Sequence, residues 1–258
     1  MVLSSHLPKG ALAFVGTPAF VAVWAALAYF HMVDPLLLPP PDRVVLAIAD
    51  IGPVLLDHLL STVARVVAGF TIAVVLGSVI GISMQANRIA YGILDGLIET
   101  WRPVPPVALV PFFILAFGFS EGGRLALVVL GTMLIVIVTV IEALDRVPPA
   151  LIQFGLVAGL SRRDLFWRLL IPAAVPNTRA GLRVALAACI TIVIASEFLG
   201  ARYGLGYLIS VSKVTLTTAT IFLCVILLGA VGFLLDAALR ASISYMTRWE
   251  YSSRETFR

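Results

Sequence analysis

LALVVLGTMLIVIVTVI, residues 125–141, carries no charged side chain and no proline. A helix needs ~20 apolar residues to cross the hydrocarbon core of a bilayer, and the wider run 124–144 reaches that length. The run does not alternate apolar with polar residues, as a strand of a membrane barrel does. It therefore reads as a membrane-spanning α-helix, whose backbone donors and acceptors are satisfied within the segment.

Five further runs share this character, at about 11–32, 60–84, 104–120, 175–199 and 218–240. The 104–120 run is the poorest helix, because Pro105, Pro106 and Pro111 remove donors from its ladder. Composition agrees with the count of runs. Hydrophobic residues make up 60% of the 258-residue chain and charged residues 12%, against roughly 25% charged in soluble domains. So little charge cannot cover the surface of a water-soluble molecule of this size. The sequence thus predicts an all-α polytopic membrane protein with about six spans, forming one transmembrane domain over 1–258. The apolar stretch after Lys9 is too long for the core of a signal peptide and has no small-residue cleavage site behind it, so it is read as a retained first span.

The basic residues orient the chain. With six spans, thirteen of the eighteen Lys and Arg residues fall on the side of the termini and of the 145–174 loop. The excess of Lys and Arg on cytoplasmic loops then predicts that both termini and that loop are cytoplasmic. The net charge of +4 is accounted for in the same way. No basic run alternates with aromatics, so nucleic acid is not an expected partner. Cys189 and Cys224 sit in apolar runs without metal spacing, and His6, His31 and His58 are scattered, so no metal site is expected. On the opposite side, LLLPPP at 36–41 reads as a stiff extended piece. Val44–Leu60 reads as an amphipathic surface helix. Tyr203-Gly204-Leu205-Gly206-Tyr207 reads either as a re-entry into the membrane edge or as an ordinary turn.

The informative polar segment is DRVPPALIQFGLVAGLSRRDLFWRLLIPAAVPNTRAG, from Asp145 to Gly181. Pro148 and Pro149 start a helix. Gly159 breaks it, Ser161 caps a second helix, and Asp164 takes the place of the capping-box acid. Pro172 and Pro176 are expected to end that second helix and start the next span. Phe154, Leu156, Leu160 and Phe166 are apolar groups on a polar side of the membrane. They pack either on the protein's own helix ends or in a partner's groove.

At these residues the chain resembles a known family, the permease subunits of binding-protein-dependent ATP-binding-cassette importers, through their EAA loop. That loop reads E-A-A, three residues, Gly, nine residues, then I-x-L-P. Here Gln153-Phe154-Gly155 is followed by Gly159 and by Leu169-Leu170-Ile171-Pro172 in register. The first three residues depart from the pattern except for the small Gly155. LLLPPP, Ser61 with Arg65 and Gly69, Arg102-Pro103-Val104-Pro105-Pro106 with Pro111, Gly181-Leu182-Arg183, Ser196-Glu197-Phe198-Leu199-Gly200 and Gly204-Leu205-Gly206-Tyr207 look like the taurine, alkanesulfonate and nitrate branch. The likeness runs from about residue 36 to 245.

The resemblance implies the fold of a type I importer transmembrane domain with a cytoplasmic coupling helix, in a bacterial inner membrane. Its implied partners are two cytoplasmic ATPase subunits, a second copy of the permease, an extracytoplasmic substrate-binding protein and the lipid bilayer. It implies that Gln153, Phe154, Gly155, Gly159, Leu160, Ser161, Asp164 and Phe166 dock the ATPase. ATP and Mg would sit on the partner ATPase and no cofactor on this chain, which has no Gly-x-x-x-x-Gly-Lys-Ser/Thr loop. Ionisable residues within spans are functional candidates. Arg65 and Glu197 are therefore expected at similar depth as a pathway gate pair, or else as a structural ion pair. The competing classes are a membrane-embedded enzyme, for which no His-Glu-x-x-His or paired intramembrane aspartates are present, and a secondary transporter or channel acting without an ATPase.

Overall fold

The computed structural model describes residues 9–198 and 200–248. The expectations for Leu199, Arg254 and Arg258 lie outside the described residues. The described residues are helical and contain no strand. α1 is Lys9–Tyr29, α2 Pro41–Ile51, α3 Val54–Ala86 and α4 Arg88–Trp101. A 3-10 turn, Pro106–Leu109, leads into α5, Val110–Phe117, and α6 is Glu121–Asp145. α7, Pro149–Val157, and α8, Arg162–Asp164, follow, then a π turn at Leu165–Leu170, α9 at Ile171–Ala174 and a 3-10 turn at Val175–Thr178. α10 is Arg179–Phe198, α11 Leu205–Val214 and α12 Thr218–Met246.

Among the described residues, four helices are long and apolar enough to cross a membrane: α3, α6, the continuous helix Arg162–Phe198, and α12. α4 and α5 make a fifth as a pair bent by 85°. The expected span at 104–120 is therefore half of a broken one. Its prolines confine regular helix to the eight residues of α5, and α4 supplies the rest. α4 was not anticipated, because Asp95, Glu99, Gly92 and Gly96 mask its apolar positions. Asn87 starts it by accepting from the Ile89 N–H at 2.9 Å. The described apolar stretch of α1, Pro18–Tyr29, is shorter than a span.

Two further expectations are corrected. Leu36–Leu38 form a turn, with the Leu37 and Leu38 N–H groups donating to the Asp34 carbonyl at 2.8 and 3.0 Å. Only Pro39 and Pro40 remain outside that turn and α2, and Pro41 is already the first residue of α2. The expected surface helix 44–60 is broken at Gly52-Pro53, with Gly52 at φ +66°, and its second part belongs to α3.

α3 and α6 form the centre of the bundle, side by side and parallel. Gly69, Gly77 and Gly81 of α3 face Val128, Val136 and Val140 of α6. A methyl group added at Gly77 would lie 2.8 Å from Val136 Cβ, so the glycines set how closely the backbones approach. Small residues on one stripe are how helices pack in lipid, where no hydrophobic drive separates them from the solvent. α10 crosses α6 in the same manner, with Gly181 against Thr139 and Gly131 against Ile192 and Pro106. α12 is peripheral. Phe222 near its start stacks on Trp24 of α1, with centroids 5.7 Å apart, and Asp236 pairs with Arg183 of α10 at 2.6 Å and with Arg240 at 3.2 Å.

Candidate functional site

At one end of the bundle the chain projects as helix, turn, helix. α7 ends in a C-terminal cap in which Gly159 N–H donates to the Leu156 carbonyl at 3.0 Å and Leu160 N–H to the Gly155 carbonyl at 3.1 Å. The cap requires a left-handed residue, and Gly159 has φ +81°. Ser161 then opens the second helix. Its hydroxyl accepts from the Asp164 N–H at 3.1 Å and donates to Asp164 Oδ2 at 2.6 Å. The acid thus bonds the capping hydroxyl rather than a backbone N–H, because an aspartate is one methylene shorter than the usual glutamate.

The second helix does not stop at its prolines. It continues from Arg162 to Phe198. Just before Pro172 the register widens, and the Ile171 N–H donates to Phe166 five residues back. Pro176 sits in the 3-10 turn, where Arg179 N–H bonds the Pro176 carbonyl. These two adjustments absorb the missing proline donors without a break.

The loop residues divide by exposure. Gly155 is buried, and a Cβ there would lie 2.6 Å from Leu165 Cδ1 and 3.3 Å from Leu169 Cδ1. It lets α7 lie on the second helix and presents nothing outward. Leu160, Asp164 and Phe166 are half-buried, and Phe166 meets Trp167 edge-on. Gln153, Phe154, Gly159 and Ser161 are exposed. Leu156, one of the apolar groups expected to pack on the protein's own helix ends or in a partner's groove, is exposed, and so are two that were not singled out, Trp167 and Val157, the latter 90% exposed. Val157 is the last residue of α7 and Trp167 lies in the π turn of the second helix, and that place in the projecting helix–turn–helix is the signal that points to them.

At the opposite end lies a buried polar cluster. Glu197, near the end of α10, has no exposed surface. Its carboxylate accepts from the Thr62 hydroxyl at 3.0 Å, from Arg65 Nη1 at 2.7 Å and from the Gly206 N–H at 2.9 Å. Arg65 also donates to the Tyr203 carbonyl at 2.8 Å and to both oxygens of Glu121 at 2.8 and 2.9 Å. Arg124 donates to Glu121 at 2.8 Å and to the Gly200 carbonyl. His58 Nδ1 accepts from the Gly204 N–H at 3.0 Å, and the Thr62 oxygen from the Leu205 N–H at 2.8 Å. His58, Thr62 and Arg65, at i, i+4 and i+7 of α3, share one face of the helix. They meet a carboxylate that, alone at such a place, would be expensive to bury.

The structure thus brings Arg65 and Glu197 together and adds Thr62, His58, Glu121 and Arg124. Ser61 is only half-buried, and the inward hydroxyl beside it is Thr62. The i, i+4, i+7 spacing of polar residues in an apolar helix was the available signal. A third feature is a cavity of about 310 Å³ at the α4–α5 bend, bounded by Trp101, Arg102, Pro106, Thr139, Glu142 and Gly181 among others. Among the described residues no cluster of His, Cys, Asp or Glu is arranged to hold a metal.

A bundle of apolar spans with a capped helix–turn–helix projecting at one end and a buried polar tie at the other defines a polytopic membrane protein. Residues 73–247 match the family described as binding-protein-dependent transport system inner membrane component. The chain is 30% identical to the taurine transport system permease protein TauC of Escherichia coli (strain K12), over 91% of this chain and 88% of that one. It is 27% identical to the putative aliphatic sulfonates transport permease protein SsuC of Bacillus subtilis (strain 168), over 90% and 85%. A chain of the inward-facing MetNI methionine ABC transporter superimposes with a TM-score of 0.60 at 20% identity, covering 73% of this chain and 95% of its own. That likeness is one of fold.

The protein belongs to the family of binding-protein-dependent transport system inner membrane components. It is a multi-pass permease subunit of an ABC importer, and the ATPase of such a transporter is a separate subunit.

Proposed function

We propose that this permease carries a small sulfonate such as taurine, delivered by a binding protein, and that the loop from Pro149 to Arg168 docks the ATPase in the cytoplasm. Two copies of the chain would form the pathway over two ATPase subunits, with ATP and Mg held on the ATPase and no cofactor on the permease. The observation that carries the docking reading is the apolar cap of the projecting loop. Phe154, Leu156 and Val157 are exposed beside Gln153, Gly159, Ser161 and Trp167. A surface of this kind buries against a partner.

Leu160, Asp164 and Phe166 support that surface from behind, and Gly155 sets the angle of α7. The excess of Arg residues at the loop end favours placing that end, and both termini, in the cytoplasm. Arg65 and Glu197 then lie at the extracytoplasmic end as gate residues. The cavity at the α4–α5 bend is a candidate stretch of the pathway. The names of the taurine and alkanesulfonate relatives support the substrate class.

The test is uptake by proteoliposomes containing the permease, its ATPase and its binding protein. ATP-dependent accumulation of labelled taurine supports the reading. Accumulation of a neutral heterocycle, with none of taurine, overturns the substrate assignment. Uptake by the permease alone overturns the need for an ATPase.

A further inference from the structure

One helix joins the docking loop to the buried cluster. Arg162–Phe198 is continuous over 37 residues, so at ~1.5 Å per residue the rod is ~55 Å long. Arg162 and Arg168 lie at one end and Glu197 at the other. At that far end, four successive residues of the following loop and helix are each held by a different side chain. The Tyr203 carbonyl accepts from Arg65, and the N–H groups of Gly204, Leu205 and Gly206 donate to His58, Thr62 and Glu197. Three of these holders belong to α3 and only Glu197 belongs to the rod.

We propose that Glu197 is the far contact of this rod, and that it transmits displacement of the Arg162–Arg168 end to α11, making α11 and the loop before it a moving gate at the Glu197 end. Thr62 and His58 are positioning residues for that gate. The proposal rests on the reading of Pro149–Arg168 as the ATPase-docking loop.

The geometry leaves little room for graded motion. A Cβ at Gly206 would lie 2.8 Å from the Ile194 carbonyl and 2.9 Å from Glu197 Cβ, and one at Gly204 would overlap the Glu197 carboxylate. If the rod slides or rotates against α3, α11 must either follow Glu197 and leave His58 and Thr62, or stay with α3 and leave Glu197. Each choice strips buried donors of their acceptors, so the arrangement favours two discrete positions over a continuum. α11 also carries Lys213 and the 83% exposed Val214 toward its C-terminal end, so a small turn at Gly206 displaces an exposed tip.

The experiment uses the assembled transporter in lipid bilayers. Spin labels are placed at Val214→Cys on α11 and Leu60→Cys on α3, both exposed. Cys189 and Cys224 are buried, so the reagent spares them. Distances are measured without nucleotide and with ATP plus vanadate. The expected result is a nucleotide-dependent shift of the distance distribution in the otherwise unchanged protein and in Thr62→Ser. The shift is lost in Glu197→Ala, which leaves the Gly206 N–H no acceptor on the rod, while the ATPase still co-purifies. A static anchor would give no shift in the unchanged protein, and a shift that survives Glu197→Ala would show that the rod acts elsewhere. Either result overturns the proposal. Should the ATPase fail to co-purify with the unchanged permease, the docking reading itself falls, and with it this one.

Discussion

Arg65 Nη1 lies 2.7 Å from Glu197 Oε1, joining α3 to the end of α10 inside the bundle. The pair is not isolated. The same guanidinium holds Glu121 at 2.8 Å, and the same carboxylate accepts from Thr62 and Gly206. Removing Glu197 takes an acceptor from Arg65, the Thr62 hydroxyl and the Gly206 N–H at once, although Glu121 still holds the guanidinium; each buried donor left unpaired costs about 1–3 kcal/mol. Glu197→Ala is expected to lower the midpoint of thermal unfolding in detergent well below that of Glu121→Ala, because Glu121 is largely exposed and Arg65 keeps Glu197 without it. Equal shifts for the two variants would contradict this ranking.

Exchanging the two charges is expected to fail. In Arg65→Glu with Glu197→Arg, the arginine at 197 offers no acceptor to the Gly206 N–H or the Thr62 hydroxyl, and the glutamate at 65 cannot donate to the Tyr203 carbonyl. Uptake that is lost in both single variants should stay lost in the double one. Recovery would show that the ion pair alone matters and the backbone contacts do not.

Gly155→Leu is expected to pry α7 from the second helix. Its Cβ would sit 2.6 Å from Leu165 Cδ1, and overpacking of this kind costs about 1–3 kcal/mol. Protease accessibility of the 149–168 segment should rise while the spans stay resistant. If the cleavage pattern is unchanged, α7 does not depend on this contact.

Gly159→Trp is expected to separate ATP hydrolysis from transport. Gly159 is exposed and no atom lies within 4 Å of a Cβ at this position, so the side chain starts in open space. A non-glycine residue in the left-handed region costs about 1–2 kcal/mol. The permease should therefore fold and bind its ATPase, with uptake per ATP hydrolysed reduced at least severalfold. Normal uptake would remove Gly159 from the docking surface.

Gly69→Ala is expected to disturb the α3–α6 seam, where the added carbon falls 2.5 Å from Val128 Cγ1. Val128→Ala in the same chain removes that carbon and leaves Val128 Cβ at 3.3 Å. Expression of folded protein should drop for the single variant and recover for the double, the non-additivity expected of residues in direct contact.

Much of this was legible in the sequence where the signal was local. The run 125–141 has one physical solution in lipid, and the Gly159-to-Pro172 register located the projecting loop. The broken span was harder, because α4 mixes Ile89, Ile93 and Leu97 with Asp95 and Glu99 and does not read as a span. The prolines at 172 and 176 misled, since a π turn and a 3-10 turn take them up within a continuous helix. The roles of Thr62 and His58 depend on loop residues far along the chain, at 204 and 205, and pairings of that separation leave little local trace. Exposure decided the rest. Gly155 and Val157 look alike in a pattern of apolar and small residues, yet one faces inward and the other outward.

The most direct test of the docking reading is a cross-link from Val157→Cys in membranes containing the assembled transporter. A short thiol-reactive cross-linker should join this position to the ATPase subunit, and Val214→Cys at the other end of the bundle should not reach it. A cross-link to the ATPase from Val214→Cys and none from Val157→Cys would contradict both the docking surface and the orientation of the chain.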